Sequence, residues 1–247
     1  SSEFLASGDG GDELFGGYTF RYQKYLSLVN SNSNINEKIK SYLKCHERDR
    51  VPDQEKLFGK KSPFSWNKIN EKLVNYFDNS LDPIDQVFLA DYNGKLLYNF
   101  SIVNGSINKE FNLHPITPLL SQEIIQIASH IPNSLKYDSK SNLGKLPLRK
   151  ILDQLNISHL VSDQKLGFSV NTINLWKNYG QKICKFYLSN SRIVKEGWIN
   201  DDWINTYIDK KNLDVKYVNK FLGILALEIW YRVFISKEMS PDEKLFV

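Results

Sequence analysis

The 247 residues carry 32 Lys+Arg against 28 Asp+Glu, a net charge of +4, with 41% apolar and 13% aromatic residues. That apolar content excludes wholesale disorder, and charges interspersed along the chain exclude the clustered basic stripe of a nucleic-acid binder. The longest apolar run, Phe221 to Trp230, is broken by Gly223 and Glu228 and is too short to cross a bilayer.

In chain order, Phe4-Leu5-Ala6 reads as the end of a buried strand, followed by a glycine-rich turn over Gly8–Gly11. A helix then starts at Asp12-Glu13, since acidic residues suit a helix N-terminus, and Gly16-Gly17 breaks it. Residues 30–36 read as a polar loop, and 50–66, with Pro52 and Pro63, as an exposed connection. Leu73, Val74 and Phe77 fall on one helical face, and Asp82-Pro83 forms a helix start. Pro115 and Pro118 make 112–121 extended or looped. Further helices are expected over Gln122–Ile131, Leu146–Leu155, 172–188 and 214–236, the last with a stripe of Leu222, Leu225, Ile229 and Val233. No strand-rich region is expected after residue 20. The fold class expected is mainly α: residues 1–20 end an α/β nucleotide-binding core, whose last strand alone is present at residues 3–7. Residues 21–247 form a helical subdomain.

Cys45 and Cys184 lie far apart and read as reduced cytosolic thiols. His46, His114, His130 and His159 offer no paired-ligand spacing, so no protein metal cage is expected.

The informative string is Ser7-Gly8-Asp9-Gly10-Gly11-Asp12-Glu13-Leu14-Phe15-Gly16-Gly17-Tyr18. Gly8, Gly10 and Gly11, lacking Cβ, let backbone N–H groups approach an anion closely. Asp9, Asp12 and Glu13 would repel a bare phosphate. Mg²⁺ resolves the conflict, because it takes one or two carboxylates together with substrate phosphates. A positively charged amine held near a carboxylate would also fit. A plain glycine turn with an acidic helix start is the alternative.

The string resembles the Ser-Gly-Asp/Glu-Gly-x-Asp-Glu-x-Phe-Gly-Gly-Tyr signature of the asparagine synthetase C-terminal domain. Similarity continues through Leu96-Leu97 to Glu110, Pro118-Leu119-Leu120, Lys145-x-x-Leu148-Arg149, Lys165-x-Gly167-Phe168 and Leu227-Glu228-Ile229-Trp230. The chain departs from the family pattern at Ser101, Ile102, Asn104-Gly105, Asn112, Ser121 and Asp163. The resemblance implies an ATP-dependent amide ligase that adenylates a small-molecule or peptide carboxylate, releases pyrophosphate and forms an amide with ammonia or an amine. It implies ATP and Mg²⁺ as cofactors, Asp12 facing Mg²⁺ and pyrophosphate, Asp9 assisting the amine, and Lys165 contacting phosphate. Lys145 and Arg149 read as structural or surface residues. The family's Ser-Gly-Gly-x-Asp-Ser pyrophosphatase loop is absent from these residues. An upstream ATP-binding segment or subunit is therefore the expected partner, with Ser1 the edge of a fragment, a processed chain or a split gene product. The setting expected is cytoplasmic, with neither nucleic acid nor membrane as partner. The competing reading is a degenerate homologue acting as scaffold or regulatory subunit.

Overall fold

A computed structural model of the chain describes residues 3–46, 50–161 and 171–246. It forms two compact units, Ser1–Cys45 with Asn70–Gly167 and His46–Ile69 with Phe168–Val247. The mainly helical class holds, and the strands are short.

In the first unit, Phe4–Ala6 pairs in parallel with His114–Ile116, Phe4 opposite His114 and Ala6 opposite Ile116. This corrects the expectation of a single core strand. Pro115 hid the second one: it lacks an N–H for a ladder, which a three-residue strand tolerates. The ladder is closed at its ends instead, where His114 N–H donates to Glu3 O at 2.7 Å and Ser7 N–H to Ile116 O at 2.9 Å. A second pair, antiparallel, joins Tyr137–Asp138 to Leu143–Gly144.

The helix Thr19–Leu28 carries the core of this unit. Tyr18, Tyr22, Tyr25 and Val29 recur at helical spacing and all are buried. Tyr22 meets Phe88 and Tyr137 edge-on, both at 5.1 Å between ring centroids. The polar loop after it is shorter than expected, because Asn34 already caps the helix Ile35–Lys44. Its side chain accepts the Glu37 N–H while Glu37 accepts the Asn34 N–H, a capping box. Pro83 opens the helix Pro83–Ala90, which runs on through a wider-turned stretch, Asp91–Phe100, into Ser101–Glu110. Gln122–His130 and Leu146–Gln154 appear where the sequence puts them, the first capped by Ser121 and the second with Pro147 in its first turn.

The second unit is built on Val215–Trp230 and the helices Gln181–Leu188 and Asp201–Tyr207. Val218, Phe221, Ile224, Leu225 and Val233 are buried there with Trp176 and Trp203, while Leu222 and Ile229 pack at the margin of this core. The stretch 50–66 is not merely an exposed connection. Val51 and Leu57 are buried, and Phe58 bridges Ile199. Asp53 anchors it by accepting Trp203 Nε1 at 3.0 Å, Tyr207 Oη at 2.7 Å and Tyr217 Oη at 3.3 Å. Partners some 150 residues away leave no mark on a local pattern. Among the described residues no helix is long and apolar enough to cross a membrane.

Candidate functional site

The glycine string lies entirely in the first unit, beyond the C-terminal end of the strand Phe4–Ala6. Gly11 N–H turns back to Gly8 O at 3.1 Å, and a five-residue helix, Gly11–Phe15, follows. Left-handed backbone flanks it on both sides, at Gly10 (φ 87°) and Gly16 (φ 76°), where a side chain would be strained. Gly16 and Gly17 both return their N–H to Asp12 O, the latter at 2.8 Å, so the chain folds back over Asp12. A Cβ at Gly17 would overlap Asp12 Oδ1 and sit 2.6 Å from Lys145 Cε. The second of the paired glycines is thus what leaves room for an ion pair.

That pair is Lys145 Nζ with Asp12 Oδ1 at 2.6 Å. Lys145 takes a left-handed conformation (φ 59°, ψ 32°) and donates its N–H to Phe15 O at 2.9 Å. Non-glycine residues rarely adopt that conformation, so it is held by its surroundings. The lysine that the sequence leaves as structural or surface is therefore the cation on the central aspartate. Its only prior signal is the Lys145-x-x-Leu148-Arg149 spacing. Arg149 itself turns its Nε to Gly144 O at 3.1 Å.

Asp9 is held from another direction. Asn104 Nδ2, on the helix Ser101–Glu110, donates to Asp9 Oδ2 at 3.0 Å. Nothing in the sequence pointed to Asn104 as Asp9's partner. Asp9 and Asp12 thus share one turn but are fixed by an amide and an ammonium respectively.

Glu13 turns inward and is 3% exposed. Tyr18 Oη donates to its Oε1 at 2.5 Å, and Lys95 Nζ donates to Tyr18 Oη at 2.8 Å. Arg21 stacks over the Tyr18 ring at 4.2 Å and reaches Asp91 at 3.8 Å, where Tyr42 Oη also donates at 2.8 Å. Burial, followed by the charge of Arg21, pushes Lys95 down to about 8. Burial likewise pushes Asp91 up to about 6, against the pull of Arg21 and Tyr42. The short helix therefore offers Asp12 on its outer side and buries Glu13 in a charged, tyrosine-lined interior. Lys165, with the Gln164–Phe168 motif, lies outside the described residues.

Among the described residues no group of three or more His, Cys, Asp and Glu could by itself hold a metal ion. Mg²⁺ needs no such cage where phosphate oxygens complete its octahedron. Asp12 is a partly exposed carboxylate with Asp9 three residues before it, donors of the type Mg²⁺ takes alongside phosphate, although Oδ1 of Asp12 is paired with Lys145 here.

An asparagine synthase family model matches residues 3–232. The chain is similar to the asparagine synthetase [glutamine-hydrolyzing] 1 of Bacillus subtilis, at 24% identity over 271 residues covering 96% of this chain and 41% of that protein. It is also similar to putative asparagine synthetases [glutamine-hydrolyzing] of Mycobacterium bovis and Mycobacterium tuberculosis, at 21% identity, covering 96% of this chain and 40% of each. It spans about two fifths of the length of these curated relatives. No solved structure matches it significantly.

Proposed function

The chain belongs to the asparagine synthase family, and we propose on that basis that it forms one wall of the active site of an ATP-dependent amide-forming ligase. ATP supplies the activation: the acceptor carboxylate is adenylated with loss of pyrophosphate, and a nitrogen nucleophile then displaces AMP to give the amide. Asp12 would be the residue to hold Mg²⁺, which when bound would neutralise the charge of the leaving pyrophosphate. Lys145, already on Asp12, adds a compact positive charge where negative charge leaves, and Lys165 adds another. Asp9, with Oδ2 fixed by Asn104, keeps a carboxylate toward the incoming ammonia or amine and takes its surplus proton. Gly8, Gly10 and Gly11 let the backbone approach the phosphates. Glu13 serves the site from inside, by fixing Tyr18 beneath the turn.

The grip on ATP belongs to a segment bearing a Ser-Gly-Gly-x-Asp-Ser loop, on the same polypeptide or on a separate chain. The setting is cytoplasmic and the acceptor is a small-molecule or peptide carboxylate. The observation that carries this reading is the convergence of Asp9, Asp12 and Lys145 on one glycine turn. One observation favours the alternative, a scaffold or regulatory subunit. Ser121, where the family resemblance expects an acid, serves as a helix cap, accepting the Ile124 N–H at 3.3 Å.

ATP–pyrophosphate exchange decides between them, measured on the chain together with the segment bearing that loop and a panel of carboxylic acids. Exchange that requires one acid and is lost in Asp12→Asn supports the ligase and names its acceptor. No exchange with any acid, with both parts present, leaves the scaffold.

A further inference from the structure

Asp12 and Glu13 are neighbours on a helix of five residues, too short to hold its shape by its own hydrogen bonds. Consecutive helical residues point about 100° apart, so fixing one side chain sets the direction of the next. Two lysines from distant parts of the chain hold this pair. Lys145 meets Asp12 directly. Lys95 reaches Glu13 through a phenol: its Nζ donates to Tyr18 Oη at 2.8 Å, and Tyr18 Oη donates to Glu13 Oε1 at 2.5 Å. These bonds run one way, ammonium to phenol to carboxylate, and the members of such a chain strengthen one another. Burial, and then the Glu13 carboxylate, push the Tyr18 phenol up, so it remains a donor.

Lys95 is half-buried, an unfavourable place for an ammonium. It lies in the middle of Asp91–Phe100, the wider-turned stretch, a form that helices take rarely and often at functional sites. Its Nζ sits 3.9 Å from the centre of the Tyr18 ring, and the Arg21 guanidinium sits 4.2 Å from the same centre. Two cations on one ring repel each other. Carboxylates offset this, Asp91 at 3.8 Å from Arg21 and Glu13 at the end of the phenol chain. We propose that Lys95 is a positioning residue for the glycine turn: through Tyr18 it anchors Glu13 inward, and so sets the direction of Asp12. The effect on the turn stands by itself, and the effect on turnover rests on the ligase reading.

The groups that face Lys95 are Tyr18 and Arg21 from the helix Thr19–Leu28 and its start, Asp12 and Glu13 from the short helix, and Asp91 one turn before it. Tyr42, from the helix Ile35–Lys44, joins them through Asp91. Burial, followed by Arg21, pushes Lys95 down to about 8, so the anchor loses its charge as pH rises through that value. Asp91, at about 6, changes charge below that limb. An arginine in place of Lys95 stays charged throughout.

The test is amide hydrogen exchange on the full chain, read by mass spectrometry over the peptide spanning residues 7–18. Its reporters are the N–H groups of Leu14, Gly16 and Gly17, which close the turn on Gly10 O and Asp12 O. Lys95→Met and Tyr18→Phe should each speed exchange there about 10-fold, the scale of one charge-assisted hydrogen bond, and the double variant no further. Lys95→Arg should restore protection, and Lys40→Met, at an exposed lysine of the first unit, should leave it unchanged. Unchanged amide exchange in Lys95→Met overturns the proposal. Acceleration spread evenly over the first unit also does, since Lys95 would then merely support the fold. In ATP–pyrophosphate exchange with the segment bearing the Ser-Gly-Gly-x-Asp-Ser loop, Lys95→Met should lower the maximal rate about 100-fold, as a small misplacement of a reacting group does, with the half-saturating acid concentration unchanged. The wild-type rate should fall as pH rises through about 8, while Lys95→Arg keeps its rate. A falling limb shared by Lys95→Arg overturns the proposal. The two readings fail separately. No pyrophosphate exchange on any acid, with the local amide changes as expected, sinks the ligase and keeps the positioning. Pyrophosphate exchange indifferent to Lys95→Met does the reverse.

Discussion

Glu228 in the second unit and Asp12 in the first are both carboxylates with a cation nitrogen at 2.6 Å, Arg232 Nε and Lys145 Nζ. Their surroundings differ. Glu228 is fully buried and also receives Ser191 Oγ at 2.7 Å and the N–H groups of Arg192 and Ile193 at 2.9 and 3.1 Å. An ionised carboxylate has about four acceptor positions, and four protein donors fill them. Glu228 thereby ties the start of the helix Arg192–Lys195 to the long helix Val215–Trp230 and has nothing left to offer a ligand. Asp12 sits on a glycine turn, its side chain 20% exposed and its lysine 35%. Proximity of opposite charges therefore does not mark a site. What distinguishes Asp12 is that its side chain and its lysine are both partly exposed, on a backbone shaped by glycines.

The largest expected effect breaks the open pair. Asp12→Asn should lower ATP–pyrophosphate exchange about 1000-fold, the scale of losing a group aimed at developing charge, with little change in the urea midpoint. A large fall in that midpoint with exchange retained would put Asp12 in the same class as Glu228. Glu228→Ala should do the opposite: a loss of about 3–5 kcal/mol in stability, read from urea unfolding, because Arg232 and three further donors lose their acceptor. A cost below about 1 kcal/mol would show that the closed carboxylate is dispensable.

A buried carboxylate in the first unit sharpens the contrast through pH. The pKa of Asp91 is raised from 3.8 to about 6, so the folded chain holds its proton more tightly than the unfolded one. That contribution is complete below about pH 4 and is lost as pH rises through about 6. It amounts to at most about 3 kcal/mol at 1.36 kcal/mol per unit. Urea midpoints of the wild type measured against Asp91→Asn should diverge over that window and run parallel above it. Parallel curves throughout would mean that Asp91 does not titrate there. The smallest effect belongs to an exposed end. Asn34→Ala removes the capping box and should cost about 1 kcal/mol by thermal unfolding, with exchange untouched.

Much of the molecule was legible because its signals are local. Pro83, the apolar spacing from Gln122 and Pro147 each announce a helix within one turn, and Gly10 and Gly16 announce the bends around Asp12. What stayed hidden depends on distant partners. The strand His114–Ile116 is a strand only because residues 4–6 lie beside it, and Pro115 disguises it. Asp53 looked like a loop residue until Trp203, Tyr207 and Tyr217 closed on it. Within the site, the string gave Asp9 and Asp12 directly. Asn104 and Lys145 reach them from 95 and 133 residues away, by a hydrogen bond and an ion pair that no spacing rule encodes.

The aromatic residues are divided unevenly, and this has an optical consequence. All five tryptophans, Trp66, Trp176, Trp198, Trp203 and Trp230, belong to the second unit, whereas the core of the first is built from Tyr18, Tyr22, Tyr25, Tyr42 and Tyr137. Indole emission is therefore a reporter for the second unit alone. A denaturation curve followed by tryptophan fluorescence can be complete while the glycine turn and its strands are still folded, or unchanged after they have melted. Tyrosine absorbance reports both units, since Tyr207 and Tyr217 lie in the second, so melting of the first is the part of that signal that tryptophan emission does not share.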